Sequence, residues 1–141
     1  MIILFVCTGN TCRSPMAEGI ARKIIAEKYP DSGVSVSSAG LAAFGGLPAT
    51  QNAVDACAEI GIDISSHRSQ GLNTEIAART DLFAVMTEAH REVLLKCGIP
   101  AEKIAVLGKI SDPFGGDMEV YRRCRDQIRG AVDGLLRRVV Q

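Results

Sequence analysis

The 141-residue chain has no excess of charge of one sign: sixteen basic side chains balance sixteen acidic ones. A balance of that kind gives no broad field to gather polyanions, so nucleic acid is not an expected partner. The basic cluster Arg122, Arg123, Arg125, Arg137 and Arg138 is interleaved with Asp126, Asp133 and apolar residues, and it reads as the solvated face of a last helix. Long hydrophobic runs are also missing. The opening run, Met1 to Val6, has no basic segment ahead of it and stops at a polar turn, too early for a signal peptide or a membrane span. No repeat, linker or low-complexity block divides the chain, so one domain over residues 1–141 is expected, long enough to bury a real core. Cys57, Cys97 and Cys124 fall on predicted helices without metal-ligand spacing, and neither a metal nor a cofactor is expected. Five cysteines are an odd number, which fits a reducing cytoplasm rather than a disulfide framework.

What the chain does have begins with that opening run, Met1-Ile2-Ile3-Leu4-Phe5-Val6. Short, continuous and rich in β-branched residues, it predicts a buried strand of a parallel sheet. Ser14-Pro15 then signals a helix start, with Ser14 as N-cap and Pro15 at the first helical position. Met16, Ile20 and Ile24, beside Ala17, Ala21 and Ile25, form an apolar stripe at helical period. Further strands are predicted at Val34–Ser38, Leu82–Met86 and Ile104–Leu107. Helices are predicted over Asn52–Ile60, Thr74–Arg79, Glu88–Cys97 and Glu119–Val139. Four strands alternating with helices imply an α/β fold, a parallel sheet covered on both faces. In such a sheet, ligands bind where strands end and helices begin.

One such junction crowds unusual residues together. Between the first strand and first helix stand Cys7-Thr8-Gly9-Asn10-Thr11-Cys12-Arg13-Ser14. A loop wrapped around a helix N-terminus aims several backbone N–H groups at one point, which favours an anion. Gly9 permits close approach or positive φ, and Asn10 tolerates left-handed backbone. The planar guanidinium of Arg13 suits two phosphate oxygens at once. A cysteine held in so positive a field gives up its proton readily, and a thiolate facing a phosphoryl group is a nucleophile. Ser14 can donate its hydroxyl proton to that sulfur. The turn reads as a phosphate cradle with Cys7 at its base.

Cys-x5-Arg-Ser directly after an N-terminal strand resembles the low-molecular-weight protein tyrosine phosphatase family, and the resemblance spans essentially the whole chain. Ser37-Ser38-Ala39-Gly40 is similar to the family's segment after its second strand. Ile64-Ser65-Ser66-His67-Arg68-Ser69 is similar to the segment carrying its structural histidine, and Ser111-Asp112-Pro113-Phe114-Gly115-Gly116 to the loop carrying its general acid. The resemblance implies a flavodoxin-like sheet of order 2-1-3-4 and a metal-independent phosphatase working through a phosphocysteine intermediate. Its substrates would be phosphorylated proteins, and the chain a monomer or weak dimer. Cys7, Arg13 and Asp112 would be catalytic, and Thr8, Gly9, Asn10, Thr11, Cys12 and Ser14 would bind the phosphoryl group. Ser38 and His67 would hold the loop in shape with Asn10.

Each of these residues also has a plainer reading. A Ser-Asp-Pro tripeptide ordinarily opens a turn; beside the Cys7 loop, Asp112 reads as general acid and then base. Cys12 is either a small buried residue or, as in the family, a partner that captures oxidised Cys7 as a disulfide. Phe44 and Phe114 are either core aromatics or, by resemblance, the two walls of the mouth. His90 sits in a polar helix segment and receives no role. Thr11 replaces the bulkier aliphatic residue common in tyrosine-directed members. It is either a neutral β-branched substitution or, by similarity to the family's bacterial protein-arginine phosphatases, a wall shaped for a guanidinium.

Two rivals are weaker. A thioredoxin-coupled arsenate reductase of this fold needs a relay pair of cysteines after the third strand; Thr87-Glu88-Ala89-His90-Arg91 has none and Cys97 stands alone. A flavodoxin-like module holding a cofactor phosphate would explain the loop's glycine and serine, but not Cys7, Arg13 and Asp112 together.

Overall fold

The structure, a computed structural model, describes residues 1–140. In chain order it contains β1 (Ile2–Cys7), α1 (Arg13–Lys28), β2 (Ser35–Gly40), α2 (Gln51–Ala58), α3 (Thr74–Arg79), β3 (Leu82–Val85), α4 (Glu88–Lys96), β4 (Ile104–Val106) and α5 (Met118–Val139). The four strands form one sheet of order β2-β1-β3-β4. Every pairing is parallel. The predicted sheet, its order and its helices on both faces are all observed, with element ends shifted by a few residues.

β1 reads as a continuous apolar run because both faces of the sheet are covered. Ile3, Phe5 and Cys7 face a core shared with α1, α2 and α5, where Met16, Ile20, Ile128, Val132 and Leu136 are buried. Leu4 and Val6 face a smaller cluster with Phe83, Val85 and Leu94, flanked by Ile76 and Ala77 of α3. Each such fully buried aliphatic side chain stabilises the fold by about 1.5–3 kcal/mol. The alternation has a consequence for chemistry. Cys7 shares the parity of Ile3 and Phe5, so the strand delivers its thiol to the side where α1 begins.

Two local readings are corrected. Helix α1 begins at Arg13 with Cys12 as N-cap, so Ser14 and Pro15 lie inside its first turn. Ser14 does not cap because its hydroxyl is engaged elsewhere, against Cys7 Sγ and the amide of Asn10. Arg125 is not part of a solvated helix face: it is 8% exposed. Its Nη1 donates to Ala56 O at 2.9 Å and to Glu59 Oε1 at 2.7 Å, which fastens the end of α2 to α5. Hydrogen bonds from Arg122 and Arg125 hold the Glu59 carboxyl down at about 2. Among the described residues, no helix is long and apolar enough to cross a membrane.

The end of β2 fixes where the Cys7 loop can lie. Gly40 pairs with Cys7 across the sheet. A Cβ at Gly40 would meet Thr8 O at 2.6 Å, Ala43 Cβ at 2.7 Å and Asn10 N at 3.1 Å. Glycine is required by that close approach, and backbone on two sides leaves nothing soft to yield. Gly40→Ala is therefore expected to lower stability by about 1–3 kcal/mol, the scale of overpacking. It should depress turnover beyond what the unfolded fraction explains. Urea unfolding and turnover measured at one temperature check both effects.

Candidate active site

The loop between β1 and α1 turns on Asn10, the one described non-glycine residue with positive φ, at 56°. Gly9 was the other candidate for that conformation and does not adopt it. Asparagine bears the strain better than other side chains because its short amide can hydrogen-bond locally. Here Nδ2 donates to Ser14 Oγ at 2.8 Å and to Ser38 Oγ at 3.0 Å, while Oδ1 accepts from Gln70 N at 2.9 Å. Ser38 Oγ in turn donates a hydrogen bond to Glu18 Oε1 at 2.6 Å. His67 Nε2 lies 2.8 Å from Asn10 O, so the ring braces the same peptide from outside.

This bracing leaves Cys7 at the base of a small cavity, about 210 Å³, lined by Cys7, Thr8, Gly9, Thr11, Cys12, Arg13, Asp112 and Phe114. Cys7 Sγ receives the backbone N–H of Asn10 at 3.3 Å and lies 2.9 Å from Ser14 Oγ. Both contacts suit a sulfur bearing negative charge. Asn10 and Ser14 are fully buried, and neither is part of the cavity lining. Their side chains shape the cavity from its rear and present no surface to it.

Arg13 is 5% exposed. Its Nη1 donates to Ile110 O at 2.9 Å, which sets the plane of the guanidinium. Its Nη2 lies 3.9 Å from Asp112 Oδ2, a loose pair in which the carboxylate side chain is 54% exposed. Its Nε is buried and meets no acceptor among the described residues. A buried charged donor left unpaired is costly. An anion with two oxygens, seated over Cys7, would satisfy Nε and Nη2 together.

Asp112 arrives from a different part of the chain, the loop between β4 and α5. There its Oδ1 accepts from Phe114 N at 3.1 Å and closes a local turn, leaving Oδ2 toward Arg13. The Ser-Asp-Pro segment does open a turn, and that turn brings Asp112 into the cavity lining. Phe114, 68% exposed, stands at the rim. Phe44 is 80% exposed and lies outside the cavity lining, so neither aromatic is a core residue.

The remaining cysteines divide cleanly. Cys7 and Cys12 are both free thiols in the cavity wall. Cys12 Sγ lies 3.4 Å from Tyr121 Oη and 3.6 Å from Thr50 Oγ1. Burial and the hydrogen bond with Cys12 push the Tyr121 phenol up to about 12, so it stays protonated. Burial pushes Cys57 and Cys124 up to about 12 as well. Both are inert core thiols, while Cys97 is exposed at the end of α4.

One residue at the site was missed from sequence. His90 is 7% exposed, and its Nε2 lies 3.0 Å from Thr8 Oγ1. A signal was present: β1 and β3 are neighbours, so the first turn after β3 must lie beside the first turn after β1. Among the larger hollows, those of about 330 and 600 Å³ lie behind the loop and between α1 and α5. Neither of these two is lined by a cysteine, and the one lining a further hollow of about 250 Å³ is the buried Cys124.

The family profile for low molecular weight phosphotyrosine protein phosphatase matches residues 2–141. A probable low molecular weight protein-tyrosine-phosphatase, EpsP, of Ralstonia nicotianae is 38% identical over 97% of this chain and 94% of its own. A protein-arginine-phosphatase of Bacillus subtilis is 39% identical over 91% of this chain and 89% of its own. Arsenate reductase 1 of Staphylococcus epidermidis is 36% identical over 97% and 96%. Among solved structures, a low molecular weight protein tyrosine phosphatase from T. tengcongensis superposes with a TM-score of 0.91 at 38% identity, covering 99% of both chains. The chain belongs to the low molecular weight protein phosphatase family and is a cysteine-dependent phosphatase.

The geometry makes Asn10 separable into two contributions. Asn10→Gly keeps the left-handed backbone without strain but deletes three side-chain hydrogen bonds; Asn10→Ala deletes the bonds and restores the strain. Asn10→Gly is expected to cost about 2–4 kcal/mol, and Asn10→Ala about 1 kcal/mol more. Denaturant midpoints of the three proteins measure the difference. Equal midpoints for the two variants would mean that the left-handed turn carries no strain.

Proposed function

We propose that this phosphatase removes phosphoryl groups from arginine side chains of proteins, with Cys7, Arg13 and Asp112 as its catalytic residues. Cys7 attacks phosphorus, forming an S–P bond as the bond from phosphorus to the leaving group breaks. Arg13, through Nε and Nη2, and the loop N–H groups hold the nonbridging oxygens throughout. Catalysis of this kind is mostly positioning and charge stabilisation. Asp112 gives its proton to the departing group. It then takes a proton from the water that attacks phosphorus, which releases phosphate and the free thiolate of Cys7. Cys12, in the same wall, is the thiol available to trap oxidised Cys7 as a disulfide that reductants reverse.

The observation that carries the arginine reading is Thr11 in the cavity wall, facing the space that Asp112 also lines. A short hydroxyl-bearing wall beside a carboxylate suits a planar group rich in N–H donors. The guanidinium of phosphoarginine is such a group: Asp112 can accept from it and later protonate it. The similarity to proteins named protein-arginine-phosphatase supports the same reading. The second reading is phosphotyrosine, favoured by the exposed ring of Phe114 at the rim, against which a phenyl group can pack. Reduction of arsenate is disfavoured because Thr87 to Arg91, after β3, contains no cysteine and Cys97 has no neighbour to pair with.

Thr11→Ile separates the first two. Phosphoarginine hydrolysis should fall by about 1–3 kcal/mol in kcat/KM, the cost of a mismatched polar pocket, while phosphotyrosine hydrolysis holds or rises. Parallel changes in both activities, or a wild type that ignores phosphoarginine, would give the substrate to tyrosine. Asp112→Asn tests the shared chemistry. It should slow aryl phosphates with poor leaving groups by about two to four orders of magnitude and activated ones far less. A flat response across a leaving-group series would remove Asp112 from the acid role.

A further inference from the structure

His90 has no place in the steps above, yet it is buried beside the cavity and hydrogen-bonded at both ring nitrogens. Nδ1 lies 3.1 Å from Thr87 Oγ1, and Nε2 lies 3.0 Å from Thr8 Oγ1. Thr87 is the N-cap of α4, where its Oγ1 accepts the backbone N–H of His90 at 3.3 Å. A hydroxyl that accepts at the cap has a single proton left to donate, and Nδ1 is the acceptor within reach. When Thr87 donates that proton to Nδ1, Nδ1 is the bare nitrogen of a neutral ring and Nε2 carries the proton.

The direction of the next bond follows. In that tautomer Nε2–H donates to Thr8 Oγ1 and fills one lone pair of that hydroxyl. The Thr8 proton must then point away from His90. Thr8 lines the cavity with Cys7, Arg13 and Asp112, so the free direction leads toward the seat of the anion. A charged imidazolium would break this order, because it has no bare nitrogen to accept from Thr87. Burial and the nearby charge of Arg13 hold His90 below its ordinary value, against an opposing pull from Asp112, and the α4 N-terminus also disfavours a cation there.

We propose that His90 is a positioning residue: through Nε2–H it turns the Thr8 hydroxyl into a hydrogen-bond donor to the phosphoryl group bound over Cys7. The proposal rests on the phosphatase reading of this cavity. It assigns Thr8 a side-chain role that loop backbone and Arg13 do not cover, at the exposed edge of the cradle on the β3–α4 side. The plainer alternative is that Thr8 merely satisfies a buried ring nitrogen.

The tautomer is read first, on the wild-type protein, from the nitrogen-15 NMR shifts of the ring; the proton is expected on Nε2. Inhibition by inorganic phosphate and steady-state turnover of an aryl phosphate are then measured for Thr8→Val, His90→Leu, His90→Gln and the Thr8→Val/His90→Leu pair. Thr8→Val and His90→Leu should each weaken phosphate inhibition about tenfold, as expected for a lost hydrogen bond to a charged group. The pair should be no worse than Thr8→Val alone. His90→Gln, whose amide N–H can reach Thr8 while its oxygen accepts from Thr87, should recover phosphate affinity to within about threefold of wild type.

A proton on Nδ1, unchanged phosphate affinity in Thr8→Val, or additive losses in the pair would each overturn the proposal. If His90→Leu does not fold, the wild-type tautomer and Thr8→Val decide it. A wild type without turnover or phosphate affinity would remove the phosphatase reading and this inference together. Normal wild-type turnover with any of the overturning results would remove the inference alone.

Discussion

The side-chain amide of Asn10 donates to two serines from a backbone twisted into left-handed space, and the geometry of the cavity depends on that single turn. If residue 10 took an ordinary conformation, its N–H would swing away from Cys7 Sγ and the loop would open. The turn is held from three directions at once. Ser14 comes from α1, Ser38 from β2, and Gln70 with His67 from the segment ahead of α3. Ser14 is four residues away, but Ser38, His67 and Gln70 are distant in sequence, so the loop is fully braced only once the sheet exists. The nucleophile is thus a product of tertiary structure, although its motif looks local.

Electrostatics inside that loop are arranged for a guest. The Arg13 guanidinium is sequestered from water, tied at one nitrogen to Ile110 O, and only loosely matched by Asp112 at 3.9 Å. A tight salt bridge there would have satisfied the charge and blunted the site. In the proposed mechanism this spacing lets Asp112 reach a leaving group while Arg13 stays unsatisfied. Donors fixed before the substrate arrives need no reorganisation as charge moves during reaction.

Much of this was legible in the sequence, for identifiable reasons. The apolar run of β1, the five residues separating Cys7 from Arg13 and the Asp-Pro-aromatic segment all encode position directly, because strand, turn and helix start are local events. Three residues were misread, and each was misread for the same cause. Ser14 looked like a cap, Arg125 like a solvated charge and His90, in a polar helix segment, like a residue without a role. Local pattern assigns a side chain to water or to its own helix. In each case the actual partner lay outside the residue's own helix: Cys7 for Ser14, Ala56 O for Arg125 and Thr8 for His90. Polar residues that serve tertiary partners carry no periodicity to betray them.

The cradle and the acid arrive on separate stretches of chain, one between β1 and α1 and the other between β4 and α5. The first is locked into the sheet by Asn10 and its anchors, whereas the second closes on itself through a two-residue turn at Asp112. Sequence drift therefore meets unequal resistance at the two places. In the proposed mechanism, the part that grips phosphorus is frozen by its own foundations, and the part that greets the leaving group is free to be rewritten. A scaffold divided in this way can acquire new clients without renegotiating its chemistry.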